Sequence, residues 1–161
     1  MNFGKDSQNY LGDKMNIYEL LKQHEGIRRK PYKCSMGFKT IGVGWNIDAN
    51  PLPLEIADYL KVHGEITDAM VDNLLSISVG HATADCRDLF PTFDEFSDRR
   101  KMALIDFTFQ LGKKGVSRFV NSVACINTGR WDDAAENMLL SAWARQTPNR
   151  AADIIQMIQE G

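Results

Sequence analysis

The order of hydrophobic patterns along the chain limits its fold more strongly than any other feature. Apolar residues with helical spacing run from Asn16 to Glu25 and resume beyond Thr67. Between them, residues 32–45 are rich in aromatic and β-branched side chains interrupted by glycine, which predicts a small antiparallel hairpin sheet. A length of 161 residues suits one domain. The sequence therefore predicts an α+β protein that is mostly α, with one small sheet towards its N-terminal end.

The predicted helices are bounded by residues that commonly begin or end helices. Thr67 is a good N-cap, and Pro148 suits the first position of the last helix. Residues 1–14 show no clear periodicity and are predicted to form a flexible leader, so the folded domain is expected to span 15–161. Beyond the first helix, helices are predicted at about 54–62, 67–90, 97–111, 116–126, 130–143 and 148–158.

Composition argues against several classes of protein. The formal net charge of −2 is unlike that of a nucleic-acid-binding protein. No apolar run approaches the roughly 18 residues of a membrane helix, so no membrane insertion is expected. Cys86 and Cys125 fall among apolar residues at helical spacing, and we expect both to be buried structural thiols. The histidines show no metal-ligand spacing, so neither a metal nor another cofactor is expected.

Cations gather around the predicted hairpin, although the chain as a whole is weakly acidic. A cluster of this kind either attracts an anionic polymer or forms an ordinary solvated surface, and the sequence leaves both interpretations open. This cationic cluster consists of Lys22, Arg28, Arg29, Lys30, Lys33 and Lys39.

Reactive side chains flank the same hairpin. Glu25 closes the first helical pattern and is followed by Gly26, which lets the backbone reverse. The hairpin then brings in Cys34 and Thr40. An acid on one side of a cleft and a base or nucleophile on the other is the usual arrangement of a glycosidase. The spacing therefore indicates glycosidic bond cleavage.

This arrangement resembles the phage lysozymes of the T-even type, whose motif runs Glu, then Asp or sometimes Cys, then Thr. The resemblance continues in Phe107–Gly112, Phe119–Ser122, Arg130–Asp132 and Gln146–Arg150. It implies a lysozyme-like fold in which a long helix joins a small lobe to a larger helical lobe. The lobes would comprise residues 26–66 for the small lobe, 67–90 for the connecting helix, and 91–161 with the first helix 16–25 for the helical lobe.

The resemblance implies a peptidoglycan-degrading endolysin that hydrolyses the β-1,4 bond between N-acetylmuramic acid and N-acetylglucosamine. Glu25 would be the general acid, Cys34 a base or nucleophile, and Thr40 the residue that positions water. A Cys34 thiolate could deprotonate that water or attack the anomeric carbon itself, and the sequence does not choose between these routes. Arg28, Arg29 and Lys33 are close enough in sequence to lower the pKa of the thiol.

Further site residues follow from the same resemblance. Arg150 would pair with Glu25, and the residues expected to contact the sugar are Gly44, Phe109, Gln110, Ser122 and Asn137. Amides and hydroxyls suit a neutral polymer, which needs hydrogen-bond donors and acceptors in defined places.

Two other functions remain open at this level. A peptidoglycan-binding module could keep the cleft and lack turnover, and a lytic transglycosylase could use Glu25 alone. The protein is expected to be a monomer that is made in the cytoplasm of a bacterial host without a signal peptide. It would act on the cell wall in the periplasm after release.

Overall fold

The computed structural model describes residues 15–161, and the predicted leader lies outside the described residues. The described chain divides into two compact units. The first, which we call the hairpin unit, is Tyr18–Gly80. The second, the helical unit, is His81–Gly161 together with residues 15–17. The first helix, which the sequence analysis grouped with the helical lobe, contributes almost all of its residues to the hairpin unit.

The hairpin unit holds the sheet and the helices around it. Its sheet is antiparallel throughout and has the strand order β1-β2-β3. Its elements are α1 (Ile17–Glu25), β1 (Arg28–Lys33), β2 (Lys39–Gly42), β3 (Trp45–Asn46), α2 (Leu54–His63) and the N-terminal part of α3 (Asp68–Leu89). Its fully buried side chains include Leu21, Ile41, Ile66, Leu74 and Leu75. Removing these apolar groups from water is the main force that holds the strands against the helices of this unit.

The turn between β1 and β2 fixes the register of the two strands. The Cys34 N–H donates to the Phe38 carbonyl at 2.9 Å, and the Gly37 N–H donates to the Cys34 carbonyl at 2.8 Å. Gly37 has φ 82°, a conformation that glycine adopts without steric cost. This closed turn aligns Lys33 with Lys39 and Tyr32 with Thr40.

The helical unit is built from helices alone among its described residues. It contains the C-terminal part of α3, a 3₁₀ turn (Phe93–Glu95), α4 (Asp98–Ser117), α5 (Val120–Asn127), α6 (Trp131–Leu139), α7 (Ala142–Gln146) and α8 (Pro148–Glu160). Its core includes the fully buried side chains Phe90, Leu104, Phe107, Ile126, Met138, Ile154 and Ile158.

Two of the predicted helices were wrong in their extent. The predicted helix 116–126 is split, because α4 continues to Ser117 and α5 begins only at Val120. The predicted helix 130–143 ends at Leu139, and Ser141 then starts α7 by accepting the Ala144 N–H at 3.3 Å. Apolar periodicity continues across both breaks, so it did not reveal them.

The predicted α+β class is confirmed, with mostly helical structure and one small antiparallel sheet. The prediction for the two core cysteines is also confirmed, since Cys86 and Cys125 are both buried. The Cys86 thiol donates to the Leu104 carbonyl at 3.4 Å and to Thr108 Oγ1 at 3.3 Å. Burial raises the pKa of the Cys86 thiol to about 12, so it stays protonated and unreactive at neutral pH. None of the described helices combines the length and apolar character that a membrane crossing needs.

Candidate active site

Glu25 is the last residue of α1 and is half-buried. Leu20 and Leu21 on the same helix are buried and anchor it in the hairpin unit. Gly26 follows with φ 76°, and its N–H donates to the Lys22 carbonyl at 2.9 Å, which ends the helix. The carboxyl group is therefore carried by a rigid helix end that leads directly into β1.

The Cys34 thiol lies at the turn between β1 and β2 and is half-buried. Desolvation raises its pKa, but hydrogen bonds from the backbone N–H groups of Phe38 and Met36 and from the Thr40 hydroxyl lower it. The net result is a pKa below the ordinary value of a cysteine thiol. Such hydrogen bonds stabilise the thiolate, which is the form that acts as a base or nucleophile.

This cause differs from the one that the sequence suggested. The sequence indicates only that Arg28, Arg29 and Lys33 are near enough to lower the pKa of the thiol. The Arg28 guanidinium instead lies over the Tyr32 ring at 5.1 Å from its centroid, and Arg29 forms an ion pair with Asp68 at 3.6 Å. The turn backbone and the Thr40 hydroxyl stabilise the thiolate.

The Tyr32 phenol is affected electrostatically by both the predicted acid and the predicted base. Burial is the largest cause that raises the pKa of its phenol, and the negative charges of Glu25 and Cys34 raise it further, while Arg28 lowers it. Both Glu25 and Cys34 are thus near enough to act on one phenol. The register places Tyr32 directly opposite Thr40. Each of the three predicted catalytic residues therefore either lies opposite Tyr32 in the sheet or acts electrostatically on its phenol.

Thr40 itself is buried, with 4% of its surface exposed. Its hydroxyl donates to the Phe38 carbonyl at 3.0 Å and also interacts with the Cys34 thiol. We expect Thr40→Val to raise the pKa of Cys34, because valine keeps the shape but removes the hydrogen bond to the thiolate. Alkylation by iodoacetamide should then require a higher pH, measured as the rate against pH.

The control for this prediction is Thr40→Ser, which keeps a hydroxyl group at the same place. Its alkylation profile should stay close to that of the unmodified protein. Identical profiles for Thr40→Val and the unmodified protein would show that Thr40 does not stabilise the thiolate.

Gly44 occupies the tight turn between β2 and β3. It is exposed and has φ 69°, so any other residue would be strained there. The neighbouring Gly42 has φ 68° and lies in the buried end of β2. These two positive-φ glycines explain the Gly42-Val43-Gly44 pattern as turn geometry, and Gly44 leaves its backbone open to a ligand.

Two of the predicted sugar-binding residues of the helical unit line one pocket. Ser122 and Asn137 both border a pocket of about 220 Å³, together with Arg118, Phe119, Val120 and Asn121. The Asn137 side-chain amide donates to the Asp133 carbonyl at 2.9 Å. Ser122 is buried, with 3% of its surface exposed. The pocket is polar and open, as a site for a sugar hydroxyl or acetamido group requires.

Gln110 and Phe109 lie on α4 and are half-buried. The Trp143 indole N–H donates to Gln110 Oε1 at 2.8 Å. Trp143 also packs edge-on against Phe107, with ring centroids 4.8 Å apart. The indole hydrogen bond fixes the orientation of the Gln110 amide, so that its nitrogen remains as the group able to donate to a sugar.

Arg150 lies on α8 and forms an ion pair with Asp106 of α4. Its Nε donates to Asp106 Oδ1 at 2.8 Å, and the two side chains are 10% and 0% exposed respectively. The predicted pairing of Arg150 with Glu25 remains a prediction. The observed partner orients the guanidinium within the helical unit.

We expect Asp106→Asn to lower the free energy of unfolding by about 3 kcal/mol, because it removes a fully buried carboxylate charge that pairs with the Arg150 guanidinium. Chemical denaturation would measure the loss. Asp88→Asn is the matched control, since Asp88 pairs with Lys113 at 2.8 Å but is 63% exposed. That exposed pair should change stability by less than about 1 kcal/mol. Equal losses in the two variants would contradict a special role for the buried pair.

Asp106 and Trp143 were not among the site residues predicted from the sequence. Asp106 is a lone carboxylate within the mostly apolar stretch Met102–Phe109. A carboxylate is rarely buried unless it is paired, so the sequence did indicate a buried ion pair at this position. Trp143 carried no such signal, because its indole bond to Gln110 joins residues far apart in sequence.

Comparison with known proteins finds matches over most of the chain. A model of the phage lysozyme family matches residues 22–155. The chain is 32% identical to "Probable T4-type lysozyme 1" of Dictyostelium discoideum, an alignment that covers 91% of this chain and 95% of that protein. This chain belongs to the phage lysozyme family. The family assignment made from the sequence is thereby confirmed, and with it the lysozyme-like fold class.

Two further relatives of this phage lysozyme family member have a similar level of sequence identity. "Probable T4-type lysozyme 2" of Dictyostelium discoideum is 28% identical, with 91% of this chain and 95% of that protein covered. "Pre-baseplate central spike protein Gp5" of Enterobacteria phage T4 is 29% identical over 91% of this chain, but only 28% of that longer protein is covered. Membership of the family supports a peptidoglycan-degrading lysozyme, and hence a glycoside hydrolase, at the level of the family.

Proposed function

We propose that this protein is an endolysin-type muramidase that hydrolyses the β-1,4 bond between N-acetylmuramic acid and N-acetylglucosamine. The observation that carries the proposal is the grouping of a half-buried carboxyl, a thiol of lowered pKa and a buried hydroxyl in the hairpin unit. These are the groups that acid–base cleavage of a glycosidic bond requires.

In the proposed reaction, Glu25 transfers its proton to the glycosidic oxygen as the bond from that oxygen to the anomeric carbon breaks. A water molecule held by Thr40 attacks the anomeric carbon, and its proton passes to the Cys34 thiolate. Solvent then returns the proton to Glu25 and removes the one on Cys34. Direct attack by the thiolate is the other route, and it would form a thioglycoside that water must cleave in a second step.

The residues of the helical unit are proposed to bind the glycan. Ser122 and Asn137 line one polar pocket, and Gln110 is held in a fixed orientation by Trp143. Each of them offers a neutral donor or acceptor, which suits sugar hydroxyl and acetamido groups. Arg150, which pairs with Asp106, is proposed as a supporting residue of the site.

The cationic cluster supports attraction to an anionic cell wall, while the neutral side chains of the site bind the glycan itself. Residues 26–47 contain arginine and lysine but no carboxylate. Lys22 and Arg29 are engaged by Asp72 at 2.8 Å and Asp68 at 3.6 Å. Lys30, Lys33 and Lys39 are exposed. They are available to attract the bacterial cell wall, where we propose that the protein acts as a monomer in the periplasm.

A sedimentation experiment tests the proposal against the binding-module alternative. Reduced protein is mixed with insoluble peptidoglycan, and bound protein and released soluble fragments are measured in the same sample. We expect binding together with steady release of fragments. Saturable binding with no release would instead identify a module without turnover and would overturn the proposed reaction.

A further inference from the structure

We propose that Phe38 is a sugar-stacking residue, which binds one ring of the glycan directly beside the Cys34 thiol. This inference rests on the proposed function, because it assigns a substrate contact to the same site. Phe38 was not among the residues that the sequence analysis selected.

The register of the hairpin puts Phe38 on the reactive face. The Cys34 N–H donates to the Phe38 carbonyl at 2.9 Å, so these two residues face each other at the end of the hairpin. Tyr32 faces Thr40 two positions further along each strand. Side chains two apart on a strand share a face, and directly opposed residues do so as well. Continued by one residue beyond β1 and before β2, this alternation puts Phe38 on the face of Cys34 and Thr40, and Lys33 and Lys39 on the other.

The exposure of Phe38 has no structural explanation within the hairpin unit. The benzyl side chain is 44% exposed, whereas Ile41 and Trp45 of the same sheet are 0% and 8% exposed. A large aromatic ring exposed beside reactive groups offers a surface that a ligand can cover. A pyranose ring presents a flat patch of C–H groups on one face, and such a patch packs well against an aromatic ring.

The backbone N–H of Phe38 interacts with the Cys34 thiol independently of the Phe38 ring. The role of the side chain can therefore be tested on its own. The Phe38 N–H hydrogen-bonds the thiol and lowers the pKa of Cys34. Replacing the side chain leaves this N–H in place. A stacking role should therefore change glycan binding without changing the pH at which Cys34 reacts.

The test measures the affinity of Phe38→Ala, Phe38→Tyr and Met36→Ala for a tetramer of N-acetylglucosamine by titration calorimetry. Met36→Ala is the matched control, because Met36 belongs to the same turn and is 77% exposed. We expect Phe38→Ala to bind about 10-fold more weakly, as loss of one ring contact implies. Phe38→Tyr and Met36→Ala should stay close to the unmodified protein, and the pH profile of Cys34 alkylation should be the same in all.

Three results would overturn the inference. Unchanged affinity in Phe38→Ala would show that the ring does not touch the sugar. Equal weakening in Phe38→Ala and Met36→Ala would indicate a loosened turn, and a shifted alkylation profile would indicate an effect through the thiol. If the unmodified protein releases fragments from peptidoglycan and Phe38→Ala binds the tetramer with normal affinity, only this inference is refuted. An unmodified protein that neither binds the tetramer nor releases fragments refutes the proposed function as well.

Discussion

Glu25→Gln is expected to lower the rate of peptidoglycan cleavage by about 10²- to 10⁴-fold, because glutamine has the same shape but cannot give a proton to the leaving oxygen. The change lies at the end of α1, where Gly26 and the buried Leu20 and Leu21 hold the backbone. The fold should therefore be retained. Release of soluble fragments measures the rate, and thermal unfolding checks the fold.

The control is Glu19→Gln on the same helix. Glu19 is 59% exposed and lies 4.0 Å from Lys22, so its replacement removes an acid of the same type away from the hairpin. We expect cleavage to stay within about 2-fold of the unmodified protein, as for most exposed substitutions. A Glu25→Gln protein that folds and keeps full activity would exclude Glu25 as the acid.

Cys34 gives the second large expected effect. Alkylation of the reduced protein should abolish cleavage, since it removes the thiolate that accepts a proton or attacks the sugar. Cys34→Ser should be about 10²- to 10⁴-fold slower, because a hydroxyl is a much poorer base. Cys34→Asp should retain substantial activity, since a carboxylate can deprotonate water at the same place.

The structure makes the alkylation selective. Cys86 and Cys125 are buried, and the pKa of Cys86 is raised to about 12, so only Cys34 should react under native conditions. Alkylated Cys34→Asp is the control and should lose no activity. Full activity of the unmodified protein after complete alkylation of Cys34 would show that the thiol takes no part in the reaction.

Local patterns in the sequence predicted most of the fold. The aromatic and β-branched segment 32–45 contains β2 and the first residue of β3, but β1 begins earlier, at Arg28. The predicted start of the last helix at Pro148 is confirmed. The breaks between α4 and α5 and between α6 and α7 were missed. The predicted end of a helix at Leu111 falls directly before Gly112, whose φ of 73° and ψ of 163° interrupt α4. The two missed breaks depend on backbone conformation that hydrophobic spacing does not encode.

The candidate site was predictable in its residues but not in its electrostatics. Glu25, Cys34 and Thr40 could be named because their spacing follows a motif. The source of the lowered Cys34 pKa could not, since it depends on where the N–H groups of the turn point. Asp106 as the partner of Arg150 joins residues that are far apart in sequence, and only the packed helices bring them together.

Mass spectrometry of peptidoglycan fragments released by the reduced protein tests the central claim most directly. Hydrolysis adds water to the anomeric carbon, so the proposed reaction predicts fragments that end in reducing N-acetylmuramic acid. Fragments that end in the cyclic anhydro sugar would contradict it, because they form without water and would make the protein a lytic transglycosylase.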